Sequence, residues 1–303
     1  MTRLLKPLRS RPLGNSGPMV SALAWGMMRF HGDDVPAARA LVDAVLATGI
    51  TLFDTADIYG RVHGEDRKAE TLLGQVFSED RSLRDRIVLA TKGGIVSDVP
   101  YDSSATHIEA AIDVSLKRLQ VDRVDLWQIH RPDILTHPSE IARALDKAHA
   151  LGKIAAVGVS NYTVAQTEAL RLALPHDLKL TSIQPEFSAL QRDPIETGLL
   201  DAALVNDYAV LAWSPLAGGR VATPGDDREH AVAAALDVVA NEQGTSRSAV
   251  ALSWIMAHPA RPIPIIGSQT PARIADCADA LHVEWTRADW YDVLAASRGE
   301  KLP

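Results

Sequence analysis

Asp54 and Tyr59 stand five positions apart in the stretch FDTADIYG, a carboxylate and a phenol directly after the short apolar run ITLF. Lys92 in ATKGG adds an ammonium and His130 in LWQIHRPD an imidazole, each again at the end of an apolar run. All four are groups that hold or move protons. A lysine is seldom buried without a partner, and Asp54 on the preceding run is the evident partner for Lys92. Taken singly, each residue has an ordinary explanation: an aspartate at a strand end caps a turn, and a rim lysine is solvated. At the ends of three consecutive apolar runs, the four together point to one site.

The elements that carry them follow from the hydrophobic pattern. Short apolar runs read as strands at 20–25, 50–55, 86–92, 124–130, 154–160, 180–184, 209–213 and 263–266. Amphipathic runs read as helices between them, among them 35–49 ending at Gly49, 68–77, 104–119 with Ser104 or Thr106 as the cap, 138–152 and 163–174. Eight strand–helix units without a linker predict an α/β chain forming one closed (β/α)8 TIM barrel over residues 1–303. An open doubly wound sheet would carry G-x-G-x-x-G after its first strand, and the turn here is GMMRFHGDD. The segment before residue 20 is expected to form a hairpin closing the barrel bottom. In such barrels the chemistry sits at the carboxyl ends of the strands, where Asp54, Tyr59, Lys92 and His130 fall.

The composition excludes several classes. The chain is 47% hydrophobic and 23% charged, with a formal net charge of −7, so it is globular and offers no basic block to a nucleic acid. A single cysteine, Cys277, rules out a disulfide framework and fits a reducing compartment. The start, MTRLLKPLRSRPLG, has no apolar stretch of signal-peptide length, and no run of membrane-spanning length occurs. The expected location is the cytoplasm, with neither membrane nor nucleic acid as partner. Metal hydrolases on this fold use close histidine pairs such as H-x-H at the first strand. None of the ten histidines makes such a pair, so no metal is expected.

FDTADIYG, ATKGG, LWQIHRPD, GKIAAVGVSN, IQPEFS, AWSPLAGG and IPIIGSQTPARI, in this order and spacing, resemble the successive motifs of the aldo-keto reductase superfamily. The resemblance runs from about residue 12 to the C-terminal helix. It implies a (β/α)8 barrel that uses NADPH, with NADH possible, to reduce aldehydes or ketones to alcohols. Its Asp–Tyr–Lys–His tetrad falls on Asp54, Tyr59, Lys92 and His130. Tyr59 would supply the proton, its pKa lowered by Lys92, which Asp54 holds in place. His130 would donate to the carbonyl oxygen as charge develops. Tyr101 in the next loop is the alternative acid.

For the coenzyme, the resemblance implies Ser160, Asn161 and Gln184 around the carboxamide and Phe187 stacked on the nicotinamide. It implies the backbone of Gly26 and Met27, the segment Trp213, Ser214, Pro215, Leu216 and Gly218 over the pyrophosphate, and Ile266, Gly267, Ser268, Gln269 and Arg273 around the adenosine phosphate. Thr270 as N-cap and Pro271 after it place Arg273 in the first helical turn, where a cation opposes the macrodipole unless an anion binds. Two departures weaken adenosine binding: Gly267 replaces a phosphate-binding lysine of some relatives, and Cys277 an adenine-contacting asparagine. The substrate pocket is expected to include Trp25, Met28, Trp127 and Arg131, with Trp213, walls that favour an apolar or aromatic small-molecule carbonyl compound. The rival to an enzyme is an NADPH-binding regulatory subunit, as the potassium-channel beta subunits of this family are.

Overall fold

A computed structural model describes residues 3–4, 7–14, 17–60 and 68–301. Two short strands open the chain, β1 (Ser10–Pro12) and β2 (Met19–Ser21), paired antiparallel with Arg11 opposite Val20. The barrel strands follow: β3 (Ala24–Gly26), β4 (Leu52–Asp54), β5 (Val88–Gly93), β6 (Leu126–Ile129), β7 (Val157–Ser160), β8 (Leu180–Gln184), β9 (Ala209–Ala212) and β10 (Ile263–Ile266). Each pairs parallel with the next, and β10 returns to β3, so the sheet closes as a (β/α)8 barrel.

The run VSALAW, expected as one strand, is two. Ser21 turns its hydroxyl onto the Leu23 carbonyl at 2.6 Å and accepts from Thr51 N at 2.8 Å, which ends the hairpin and starts the barrel. The expected closure of the barrel bottom is present, although residues 1–2, 5–6 and 15–16 of that segment lie outside the described residues. Leu13 and Val20 pack on the inward side chains Ala24, Leu52, Ala90, Leu126, Ala156, Ala209, Leu211, Ile263 and Ile265. Gly14 has φ +65°, and a Cβ there would stand 2.5 Å from the Thr181 carbonyl oxygen, so this turn requires glycine.

Strand alternation decides which side chains reach the interior. Leu52, Ala90 and Leu126 point inward at the bottom, so Asp54, Lys92 and Gln128, two residues further on, point inward one layer higher. Their neighbours Phe53 and Trp127 point outward, against the helices. A dry apolar layer therefore sits beneath a polar one, which lies at the carboxyl end.

The helices form the outer ring: α1 (Val35–Ala47), α2 (Lys68–Glu79), α3 (Ser82–Asp85), α4 (Ala105–Leu119), α5 (Pro138–Ala150), α6 (Val164–Ala173), α7 (Asp193–Glu196), α8 (Leu199–Asn206), α9 (Asp227–Gln243), α10 (Arg247–Met256), α11 (Pro271–Cys277) and α12 (Arg287–Arg298). Their ends obey local chemistry. Asp34 caps α1 through Ala37 N, Ser104 rather than Thr106 caps α4 through His107 N, and Thr163 with Gln166 forms a capping box on α6. The last helix docks on α9 and α10: Trp254 and Trp290 stack at 4.9 Å and each indole N–H donates to the other's carbonyl at 3.0 Å. No helix among the described residues is long and apolar enough to cross a membrane.

Candidate active site

Lys92 has no solvent exposure, and its Nζ lies 2.6 Å from Asp54 Oδ2 and 2.8 Å from the Thr55 carbonyl oxygen. Register brings this about: Asp54 is aligned with Ala90 on β5, so Lys92 projects one residue pair higher, beneath the loop that leaves β4. That loop is tied to β5 by Thr55 N on Ala90 O and Asp57 N on Lys92 O, both at 2.9 Å. Behind it, Arg118 of α4 donates to the Asp57 carbonyl at 3.2 Å and faces the buried Glu70, which accepts from Thr91 Oγ1 at 2.7 Å.

So anchored, the loop lays the half-buried Tyr59 ring over the lysine, 4.8 Å from Nζ to the ring centroid. His130, whose backbone N–H donates to the Gly93 carbonyl at 2.9 Å, meets the same ring edge-on at 5.8 Å. The structure thus brings Asp54, Tyr59, Lys92 and His130 into one cluster. Tyr101 is exposed, in a bridge with Ile95 on the loop after β5.

The electrostatics differ from expectation at one point. Burial pushes the Tyr59 phenol above its ordinary value, and this outweighs the downward pull of Lys92. The phenol is therefore protonated at neutral pH rather than strongly acidified. Burial also disfavours the Lys92 ammonium, but Asp54 and Tyr59 outweigh it and the pKa rises. Burial, then Lys92 and Arg131, lower His130 to about 2, so the imidazole is neutral. Its Nδ1 is buried without a hydrogen-bond partner among the described residues.

After the neighbouring strand β7, Asn161 adopts φ +60° and joins three groups. Its Nδ2 donates to the His130 carbonyl at 3.2 Å and to Ser160 Oγ at 2.8 Å, while its Oδ1 accepts from Trp213 Nε1 at 3.0 Å. Ser160 Oγ donates to the Gln184 carbonyl at 2.9 Å, and the Gln184 amide reaches Asp54 Oδ1 at 3.0 Å. Ser160, Asn161 and Gln184 thus lie together, with the side-chain amide N–H groups of Asn161 and Gln184 engaged by the protein.

The aromatic expected on the nicotinamide is placed differently. Phe187 is fully buried and tilts against Trp254 of α10 at 5.9 Å, so its face is closed. Trp213 is the half-buried aromatic beside Asn161, with Arg131 above its ring at 5.9 Å. Two expected pocket residues are likewise elsewhere. Trp127 points outward and packs beside Gly93 and Ala111 of α4. Trp25 is sealed edge-on against Phe30 and Phe53, and its Nε1 donates to the Ser268 carbonyl at 2.9 Å, bracing the loop after β10. Met28 and Arg131 do stand at the mouth, the first exposed and the second half-buried.

The remaining candidates line the loops after β3, β9 and β10. Met27 N bonds the Asp54 carbonyl at 2.9 Å, and the Gly26 carbonyl faces the Gln269 amide at 3.4 Å. After β9, Ser214 (φ 49°) and Ala217 (φ 51°) turn the chain around buried Pro215 and half-buried Leu216 to Gly218 and Gly219, which face open space. Arg220, bonded to the buried Glu229 at 2.9 Å, closes that loop. After buried Ile266, Gly267 is exposed, Ser268 and Gln269 are half-exposed, and Arg273 is exposed on α11.

Thr270 occupies the N-cap position without a side-chain cap bond; Ser268 Oγ instead accepts from Thr270 N at 3.2 Å. A Cβ on Gly267 would meet Arg29 Nη1 at 3.7 Å, so an arginine from the loop after β3 reaches the place of the absent lysine side chain. These groups fit a dinucleotide: open glycines, hydroxyls, two arginines, and a buried Gln269 Oε1 without a hydrogen-bond partner among the described residues. Burial and the neighbouring Asp276 and Asp279 raise the Cys277 thiol to about 11. Among the described residues, no group of three or more His, Cys, Asp or Glu side chains could hold a metal ion.

Two contributors were not anticipated from the sequence: Gln128, whose amide donates to Asp54 Oδ1 at 3.2 Å, and Arg118 behind the Tyr59 loop. A single glutamine in the apolar run LWQI was the available signal for the first. A family model described as the aldo/keto reductase family matches residues 22–297. A protein of Novosphingobium aromaticivorans named 6-dehydroglucose reductase is 53% identical, with all of both chains covered. One of the same name from Agrobacterium fabrum is 36% identical over 93% of this chain and 96% of its own. An L-glyceraldehyde 3-phosphate reductase of Escherichia coli is 29% identical over 91% of this chain and 88% of its own.

Proposed function

The chain belongs to the aldo/keto reductase family of oxidoreductases, and from that premise we propose that it reduces a sugar aldehyde to an alcohol with NADPH, Tyr59 giving the proton. The observation that carries this is the buried Lys92, held by Asp54 at 2.6 Å under the ring of a phenol that is protonated at neutral pH. Ser160, Asn161, Gln184 and Trp213 would hold the nicotinamide end. Gly218 and its loop would cover the pyrophosphate. Ser268, Arg273 and Arg29 would face the adenosine phosphate. Bound there, the reduced nicotinamide supplies a hydride to the carbonyl carbon.

The protein's own part is the proton. Neutral His130 orients the carbonyl by an N–H. As negative charge gathers on the oxygen, Tyr59 Oη transfers its proton there, and Lys92 stabilises the phenolate left behind. Burial and cation then serve opposite halves of one cycle: the first keeps the acid loaded, the second eases its discharge.

For the substrate, the relative alike over its whole length and named 6-dehydroglucose reductase supports an oxidised hexose. The mouth agrees. With Trp25 and Trp127 outside it, the mouth keeps Met28 and Trp213 as its apolar and aromatic walls, a weaker basis for an aromatic substrate. Arg131, Trp213 and the half-buried Glu186, which lies near Arg131 and Arg220, offer charge and one aromatic face to hydroxyl groups. A reduced coenzyme and one buried thiol fit the cytoplasm.

Oxidation of NADPH followed by absorbance, with 6-dehydroglucose against aliphatic and aromatic aldehydes, tests the reading. Preference for the sugar, with NADPH favoured over NADH and the preference reduced in Arg273→Ala, is expected. No turnover with any carbonyl compound would contradict it.

A further inference from the structure

Asp54 is gripped from both ends. Lys92 holds Oδ2, while Oδ1 accepts from Gln184 Nε2 at 3.0 Å and from Gln128 Nε2 at 3.2 Å. Gln184 also donates to Gln128 Oε1 at 3.3 Å, so the two amides brace each other. All four side chains are buried in the polar layer above the barrel's apolar floor. Space for the amides comes from Gly158, which is aligned with Gln128 across β6 and β7. A Cβ at Gly158 would stand 3.1 Å from Gln128 Cγ and 2.1 Å from Ser182 Oγ. The glycine's φ lies outside the left-handed region, so space and not conformation demands it.

We propose that Gln128 is a positioning residue for carbonyl reduction: by holding Asp54 Oδ1 it aims Oδ2 at Lys92, and thereby sets how firmly the ammonium supports Tyr59. This rests on the reading of Tyr59 as proton donor given above. Without Gln128, Gln184 would still bond Oδ1, but alone and no longer braced by Gln128 Oε1, so the carboxylate would turn more freely about its χ2 torsion. Charge-assisted bonds to a buried carboxylate are the strong ones, and their loss leaves the charge poorly solvated.

The titratable and charged groups around Lys92 are Asp54 from β4, Tyr59 from the following loop and His130 beyond β6, with Arg131 outside them. Asp54 and Tyr59 favour the ammonium and burial opposes it. A loosened Asp54 therefore lets Lys92 release its proton at lower pH.

Gln128→Met keeps length and removes both polar atoms. It should lower kcat about tenfold with KM for the carbonyl within about twofold, and move the alkaline limb of the kcat–pH profile down by about one unit. The dissociation constant for NADPH, read by quenching of tryptophan fluorescence, should equal the wild-type value. Gln128→Glu serves as the rescue. Beside buried Asp54 its carboxyl remains protonated at acidic pH and still donates, so kcat at about pH 6 should return to within about threefold of wild type and fall as that carboxyl ionises.

A lower kcat with the alkaline limb unmoved in Gln128→Met, or a pH-independent loss in Gln128→Glu, overturns the proposal by reducing Gln128 to a packing role. Wild-type behaviour of Gln128→Met also overturns it. If the wild-type protein reduces no carbonyl, the reading of the site itself has failed, a distinguishable result.

Discussion

A lysine out of reach of water keeps its charge only when its partners outweigh the lost hydration. Lys92 meets that condition through Asp54 and Tyr59, and the same burial keeps Tyr59 protonated. The pH dependence of reduction follows with its sign. Tyr59 must carry its proton and Lys92 its charge, and both are raised above their ordinary values, so kcat should hold through neutrality and fall only beyond the ordinary phenol range. His130, lowered to about 2, adds no inflection near pH 6.5. A kcat profile for the sugar aldehyde from about pH 5 to 11 checks both, and a step near 6.5 would mean that a charged histidine takes part. At this scale the four clustered residues were legible because Asp54, Lys92 and His130 each close an apolar run and Tyr59 follows in the loop after the first of them. The balance between burial and cation was not, since it depends on a ring lying over the ammonium, which no spacing reveals. Phe187 was misplaced for a related reason: a motif gives the order of aromatics but not which one keeps an open face.

Among elements, strand alternation is the rule that decides. Counting by twos from His130 puts Gln128 on its face and Trp127 on the other, so the outward position of Trp127 could have been read from LWQIH itself. The break in VSALAW could not, because it arises from Ser21 bonding Leu23 and the distant Thr51. Trp25 shows what an outward residue can do for a site. Its indole N–H holds the Ser268 carbonyl, linking β3 to the loop after β10. Trp25→Phe keeps the ring packing and removes that bond. The expected result is a severalfold weaker NADPH dissociation constant with kcat at saturating coenzyme near wild type, measured by fluorescence titration and steady-state rates. A kcat loss without weaker binding would instead place Trp25 in support of the chemistry.

Across the whole molecule, the barrel divides its labour by height. The hairpin plug and apolar layer at the bottom would supply stability, and the polar layer above holds the residues proposed to do the chemistry. Leu13, fully buried in that plug, tests the division. Leu13→Ala should cost about 2–5 kcal/mol in urea unfolding while leaving kcat unchanged well below the transition; a comparable loss of kcat would show the two ends coupled. The closed barrel was legible from eight repeated units, because each parallel strand needs a helix to return. The central claim remains that Tyr59 gives the proton. Tyr59→Phe removes one oxygen and little else, so kcat for the sugar aldehyde and the NADPH dissociation constant, measured on the same preparation, test it most directly. The account predicts a fall in kcat of about a hundredfold or more with coenzyme binding intact; a Tyr59→Phe protein that turns over at the wild-type rate would contradict it.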